Sequence, residues 1–202
     1  FKLCQALWQR RAQRLYEGDL DIAALGTVAD LVPITGENRK IVRQGLRVMS
    51  ENPCVGIRAL ISVSGLEDKK INAGHVGFQL APRLNAAGRL ETARHGVALL
   101  SSEDAVDAAR IAGELNGLNT ERRGLEQEIL TEAQRSLVDF TPDVPAIVVA
   151  SEDWNAGVIG IVASRLVETY YRPSIVLTRQ ENVYKGSCRS IAGLHMYDAL
   201  SA

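Results

Sequence analysis

Apolar residues recur at helical spacing through the first hundred positions of the chain. Ile41, Val42, Leu46 and Met49, for example, fall at helical spacing in a segment whose other positions are mostly polar. The pattern predicts helices over about 2–16, 37–49, 56–63 and 73–90. Pro82 is expected to interrupt the last of these helices. Residues 21–30 are too short and too uniformly apolar for the period to choose between helix and strand.

A longer helical pattern follows, over residues 103–138. Its apolar residues fall near one stripe, with Glu and Arg between them: Ile111, Leu115, Leu118, Leu125, Ile129 and Leu137. An unbroken helix of this length would span about 50 Å. Gly113, Gly117 and Gly124 would each weaken it by up to about 1 kcal/mol relative to Ala. The pattern therefore predicts one long helix with three weak points.

The pattern changes again after Pro145, to short apolar runs of the kind that form strands. The predicted order is a strand at 146–150, a helix at 157–171, a strand at 174–178 and a third strand at 183–185. A strand, a helix and a second strand in this order predict a parallel strand pair. The chain is thus predicted to be of the α/β class. We expect three parts: an α-rich part over 1–102, a connecting helix over 103–140 and an α/β part over 141–202.

Composition matters here mainly for what it excludes. The 202 residues are 46% hydrophobic and 23% charged, as in an ordinary folded domain. The 23 Lys and Arg against 24 Asp and Glu exclude a uniformly basic polyelectrolyte, although a near-neutral total can hide segregated charge. No apolar run approaches the length of a membrane span. The widely spaced Cys4, Cys54 and Cys188 argue for a reducing cytoplasm.

Two segments of the α-rich part contain candidate chemistry. Asp30 ends an apolar segment, where a carboxylate is either a metal ligand or, more commonly, a cap or turn residue. No cluster of carboxylates and histidines completes a metal shell, so further ligands are expected upstream of Phe1. Arg83 and Arg89 flank Asn85 among small residues, and they could converge on a phosphate if the helix bends at Pro82 and Gly88. The alternative is a helix with two solvated arginines.

The α/β part adds two further segments. The glycines at 157 and 160 open a helix after a strand, where backbone N–H groups can bind an anion or the glycines can serve close packing. Residues 185–190, Lys-Gly-Ser-Cys-Arg-Ser, follow the third predicted strand and offer hydroxyls and positive charge to a terminal phosphate. A polar β-turn is the alternative interpretation. The three histidines have no ligand spacing, which makes a metal role improbable.

These segments, in this order, resemble the RecJ-type single-strand-specific exonucleases of the DHH phosphoesterase superfamily. The matching stretches are Ala24–Pro33, Glu37–Arg39, Arg43–Gly45, Gly77–Phe78, Pro82–Leu90, Leu118–Asn119 with Glu121–Arg122, Gly157–Arg165 and Gly186–Ser190. The likeness covers nearly the whole chain. The segment Arg83–Arg89 is specific to the RecJ branch, whereas Gly26–Asp30 alone would indicate only the superfamily.

The resemblance implies a function that composition does not. It implies two Mn²⁺ or Mg²⁺ ions with Asp30 as one ligand, and Arg83, Asn85 and Arg89 near the active site. It also implies a long helix leading to a DHH-associated domain, where Ser187 and Arg189 hold the 5′-phosphate of single-stranded DNA. We further expect substrate contacts from Gly186, Asn155, Gly157 and Arg165.

The implied protein is a cytoplasmic, monomeric 5′-to-3′ exonuclease of DNA repair and recombination. A single-strand-binding protein is an expected partner, and no membrane association is expected. We also expect the 202 residues to be part of a longer protein that is inactive without its upstream metal ligands. Two residues depart from the family's usual pattern: Asn155 stands where it has His, and Cys188 where it has Gly. These departures motivate one alternative, an inactive DNA-binding scaffold. A second alternative is a phosphoesterase acting on short oligonucleotides, against which the long connecting helix and the segment Arg83–Arg89 argue.

Overall fold

The computed structural model describes residues 1–12, 18–137, 141 and 144–201. It divides into two compact units, Phe1–Asn119 and Thr120–Ala202. The boundary lies inside α8 (Ala105–Arg135), an unbroken helix of 31 residues. The three-part division over 1–102, 103–140 and 141–202 therefore differs from the observed units. The reason is that the first turns of α8, including Ala108, Ile111 and Leu115, are part of the hydrophobic core of the first unit.

Among the described residues of the first unit, every regular element is a helix. These elements are α1 (Lys2–Ala12), α2 (Leu20–Ala29), α3 (Gly36–Glu51), α4 (Val55–Val63), α5 (Ala73–His75), a π-helical turn (Val76–Leu80), α6 (Ala81–Leu90), α7 (Arg94–Ser101) and the start of α8. The ambiguous segment 21–30 is thus a helix. The predicted end of the first helix at residue 16 lies outside the described residues.

The closest packing in this unit lies between α2 and α3. Gly45 is buried on α3, and a Cβ atom built there would collide with the carbonyl oxygen of Leu20 and the Cβ of Ala24. Glycine is therefore needed at this position because it lets the two helix backbones approach. Ala24 and Leu25 continue from this contact into the core, where they are fully or almost fully buried.

The prediction that Pro82 interrupts the helical run 73–90 is wrong. The Ala81 N–H donates to the carbonyl of Val76, five residues back, so the helix widens into a π turn just before Pro82. The missing N–H of Pro82 then falls in the first turn of α6, where a helix tolerates proline. Residues 81–90 form one helix with no break at Gly88.

A buried carboxylate connects α2 to the start of α4. Asp21 is 3% exposed, and its Oδ2 accepts a hydrogen bond of 2.8 Å from the Cys54 N–H. Cys54 is the residue before α4, so this bond satisfies one backbone donor at the helix N-terminus. Burial raises the pKa of the Cys54 thiol to about 11, which keeps it protonated near neutral pH. Cys54 is therefore a packing residue and not a nucleophile.

The second unit contains a three-stranded sheet and two further helices. Its elements are β1 (Ile147–Ser151), α9 (Ile159–Tyr170), β2 (Ser174–Gln180), β3 (Val183–Arg189) and α10 (Met196–Ser201). The strand order is β1-β2-β3, with β1 and β2 parallel as predicted and β3 antiparallel to β2. None of the helices in the described part of the chain is long and apolar enough to cross a membrane.

Strand β3 is longer than the sequence pattern indicated. It was expected to end at Lys185, with the Gly-Ser-Cys-Arg segment after it, either as a phosphate-binding segment or as a polar turn. Instead, the ladder with β2 continues to the pair Ser174–Arg189. Polar residues can extend β3 because none of its residues is buried. The segment is therefore held in a rigid strand.

The α2–α3 contact yields a test of the packing. Gly45→Ala should lower the free energy of unfolding by about 1–3 kcal/mol, because the new methyl group meets backbone atoms that cannot rotate away. The matched control is Gly113→Ala on α8, where a Cβ would meet nothing within 4 Å. The control should raise the free energy by about 0.5–1 kcal/mol. Urea unfolding of the intact protein measures both, and equal effects would refute the assigned contact.

Candidate functional site

Asp30 lies at the C-terminal end of α2, and its side chain is exposed. The chain leaves the helix through Leu31, which has a φ of 55°. The N–H groups of Leu31 and Val32 donate to the carbonyls of Val28 and Thr27, the pattern of a Schellman motif. Such a motif usually has glycine in the left-handed position, and here a leucine that is 87% exposed takes it. The Asp30 carboxylate is thus presented at a rigid helix end.

The described residues provide only one part of a metal site. They contain no group of three or more His, Cys, Asp or Glu side chains that could hold a metal ion. Asp30 has the oxygen donor that Mg²⁺ and Mn²⁺ prefer, and its carboxylate makes no hydrogen bond or ion pair with another described residue. It can therefore contribute one ligand, and a complete site needs others.

The arginines of α6 do not converge as a bent helix would allow. Because residues 81–90 form one helix, Asn85 and Arg89, four positions apart, share a face, whereas Arg83 lies on another. Arg83 is half-buried: its Nε donates to Asn116 Oδ1 on α8 at 2.9 Å, and its Nη1 to the Gln79 carbonyl at 2.6 Å. Arg83 thus joins α6 to the start of α8, while Asn85 and Arg89 are exposed.

In the second unit, four residues of α9 and β3 form what we call the Arg189 cluster: Gly160, Ser164, Ser187 and Arg189. The Arg189 Nε donates to Ser164 Oγ at 3.0 Å, and its Nη1 donates to the Cys188 carbonyl at 2.7 Å and to Ser187 Oγ at 3.4 Å. The Nη2 group makes no hydrogen bond with the described residues. The guanidinium is therefore held in place and keeps donors for an anion.

Gly160 makes room for this arrangement. A Cβ atom at this position would lie 2.9 Å from Ser187 Oγ and 3.4 Å from Arg189 Nη2. Any residue larger than glycine would push the hydroxyl or the guanidinium aside. The glycine that matters for the cluster is thus Gly160, in the first turn of α9, and not Gly157, which precedes the helix.

Side chains alternate between the two faces of β3, so Ser187 and Arg189 lie on a different face from their sequence neighbours Gly186 and Cys188. Ser187 and Arg189 pair with Val176 and Ser174, both buried, on the face that α9 covers. Gly186 and Cys188 point to the opposite face. A Cβ at Gly186 would lie 2.5 Å from Leu177 Cδ2, so this glycine serves packing within the sheet. The side chain of Cys188 does not enter the cluster.

The backbone N–H of Gly157, which was expected to bind an anion, forms a hydrogen bond within its own turn. The Gly157 N–H donates to Asn155 Oδ1 at 2.8 Å, and the Asn155 carbonyl accepts from Val158 and Ile159. Asn155 therefore shapes the turn that leads into α9. The substrate contacts expected from Asn155 and Gly157 therefore stay a prediction.

Arg165 follows Ser164 in sequence but lies outside the cluster. Its guanidinium is paired with Glu168 at 3.0 Å and with Glu126 of α8 at 3.3 Å. The hydrogen bonds that Arg165 donates to Glu168 and Glu126 raise its pKa above the ordinary value. These contacts favour a structural role for Arg165. Its role in substrate binding stays a prediction.

Sequence reasoning did not single out Ser164, and it considered Gly160 only for its backbone N–H or for close packing. Both lie in the Gly157–Arg165 motif, where the glycines suggested close packing or an anion site. Their spacing of four residues puts them on one face of a helix, and this was an available signal. The missing information was which face of α9 meets β3.

Comparison with known proteins first gives the class of the second unit. Residues 143–202 match the model of the DHHA1 domain. The DHH-associated domain expected from the resemblance is therefore present at the C-terminal end of the chain.

The particular relatives are RecJ proteins. The chain is 45% identical over 203 residues to the single-stranded-DNA-specific exonuclease RecJ of Bacillus subtilis, covering 100% of the chain and 25% of that protein. Crystal structures of Thermus thermophilus RecJ with Mg²⁺ and with Mn²⁺ match with TM-scores of 0.89 and 0.87 at 36% identity. Both matches cover 100% of this chain, and 31% and 30% of those chains. The resemblance to RecJ is confirmed, and the chain spans about a quarter to a third of these relatives.

Proposed function

We propose that this chain belongs to a 5′-to-3′ exonuclease that degrades single-stranded DNA in repair and recombination. The observation that carries the proposal is its correspondence with RecJ exonucleases along its full length. The Arg189 cluster supports it, because a serine hydroxyl beside a fixed guanidinium suits a terminal phosphate. A monomeric state and a single-strand-binding partner remain predictions.

Each part of the chain has a distinct role in this proposal. Ser187 and Arg189 would hold the 5′-phosphate and so set the direction of degradation. Arg83 and Arg89 would contact backbone phosphates, with Arg83 positioned by Asn116, and Asn85 would lie near the active site. Asp30 would contribute one ligand to a pair of Mn²⁺ or Mg²⁺ ions, whose other ligands lie in the part of RecJ that this chain does not cover. When bound, such ions activate water and stabilise charge at the scissile phosphate.

The role of Asp30 can be tested by its removal. In the full-length protein, Asp30→Ala should lower kcat on single-stranded DNA with Mn²⁺ by more than about 100-fold, since even indirect metal contacts are worth 10- to 100-fold in such sites. The free energy of unfolding should change by less than about 0.5 kcal/mol, because the carboxylate is exposed. Asp68→Ala, at another exposed aspartate, is the control. Unchanged turnover would remove Asp30 from the metal site.

The Arg189 cluster predicts a preference for phosphorylated ends. Arg189→Ala should reduce the ratio of kcat/KM for 5′-phosphate over 5′-hydroxyl strands by about tenfold or more, because a hydrogen bond to a charged group contributes about 1.5–3 kcal/mol. Ser164→Ala should reduce it less, because it only releases the Arg189 Nε. Arg179→Ala on β2, where the arginine pairs with Glu152, is the control. An unaltered ratio for Arg189→Ala would reject the phosphate site.

A further inference from the structure

One surface of the first unit concentrates positive charge on residues to which no role has been assigned above. Arg39, Arg43 and Arg47 lie four residues apart along α3, and Lys40 is beside them. Successive members of an i, i+4 series are about 6 Å apart along a helix axis, so the three arginines extend over about 12 Å on one side of α3. All four side chains are exposed.

A groove runs beside this row of charges. It has a volume of about 490 Å³, and Lys70 lines it together with Arg39, Arg43 and Arg47. Its apolar lining comes from Ile34, Val42, Leu46 and Ile71. A second depression of about 390 Å³ is lined by Lys40, Arg43, Gln44 and Arg47, and it therefore shares two arginines with the first. We call the two together the α3 groove.

The charges of the groove are largely uncompensated within the described residues. Arg39, Lys40, Arg43 and Lys70 make no side-chain hydrogen bond or ion pair there. Arg47 has Glu51 at 3.5 Å, on the exposed surface, where such a pair is weak. Glu37, the other carboxylate of α3, pairs with Lys2. No carboxylate is among the described residues that line the groove.

We infer that the α3 groove binds the sugar-phosphate backbone of single-stranded DNA, as a contact additional to the active site. Guanidiniums in a row match a strand whose phosphates recur at regular intervals. The aliphatic lining suits the apolar faces of deoxyribose. No aromatic residue lines the groove in the described part of the chain, so it lacks a platform for stacking bases. Binding is therefore independent of sequence, as degradation of any strand requires.

This inference rests on the proposed function, and it predicts a length-dependent effect. A strand can use the groove only where it extends beyond the active site, so a dinucleotide held in the active site would not reach it. The groove should therefore increase affinity for long strands and leave turnover of short ones unchanged.

The experiment measures binding of the full-length protein to a 40-residue poly-dT strand, over a series of salt concentrations with a chelator present. The triple variant Arg39→Gln, Arg43→Gln, Arg47→Gln should flatten the slope of log affinity against log salt by about 2, because each lost contact with a single strand removes about 0.7. Its affinity at about 0.1 M salt should fall by 10- to 100-fold. The control is Arg58→Gln, Arg94→Gln, Arg110→Gln, which removes the same charge from exposed arginines outside the groove.

A gain of charge gives a second, independent measurement. Gln44→Lys adds a cation to the lining of the groove and should steepen the salt slope by about 0.7. This variant keeps the inference testable if the triple variant fails to fold. An unchanged slope in both variants would overturn it.

The experiment distinguishes two outcomes: that the α3 groove does not bind DNA, and that the proposed exonuclease function is wrong. If the triple variant degrades long DNA with Mn²⁺ and keeps its salt slope, the groove is wrong and the exonuclease stands. If the unaltered protein binds DNA through the groove but degrades none, the groove stands and the proposed function is wrong. If the triple variant keeps its DNA slope but loses binding to a poly-Glu peptide, the groove accepts an acidic protein and our inference is wrong.

Discussion

The close contact between α9 and β3 is the constraint on which the proposed phosphate site of this chain depends. Because β3 alternates its side chains, Ser187 and Arg189 both point to the face that α9 covers. Gly160 leaves space for them, and Ser164, one turn later, accepts from the Arg189 Nε at 3.0 Å. A guanidinium on a solvated strand would otherwise lose about 2 kcal/mol of rotamer freedom on binding a ligand. Here the fold has already ordered it.

Much of the fold followed from the spacing of apolar residues. The long helix α8 was predicted to within three residues at each end, and the parallel pair of β1 and β2 was predicted from its crossover. The pattern could not decide whether segment 21–30 is a helix or a strand, because a helix that is apolar on most sides has no polar stripe to show its period. It also could not show that a π turn accommodates Pro82, since the widening depends on the surrounding packing.

The candidate site, like the fold, could be predicted only in part from the sequence. Sequence identified Asp30, Arg83, Ser187 and Arg189 as candidates from residue type and resemblance. Their partners could not be read in the same way: Asn116 is 33 residues from Arg83, and Ser164 is 25 residues from Arg189. The α3 groove was missed for a different reason. The chain's net charge of −1 is a sum, and it conceals five cations gathered along one groove.

The most direct test of the account is the polarity of degradation by the full-length protein. A single strand with a different fluorophore near each end, together with a blunt duplex of the same sequence, is incubated with Mn²⁺ and sampled over time. The account predicts that nucleotides are released first from the 5′ end of the single strand, and that the duplex survives. Release that begins at the 3′ end, or equal degradation of the duplex, would contradict it.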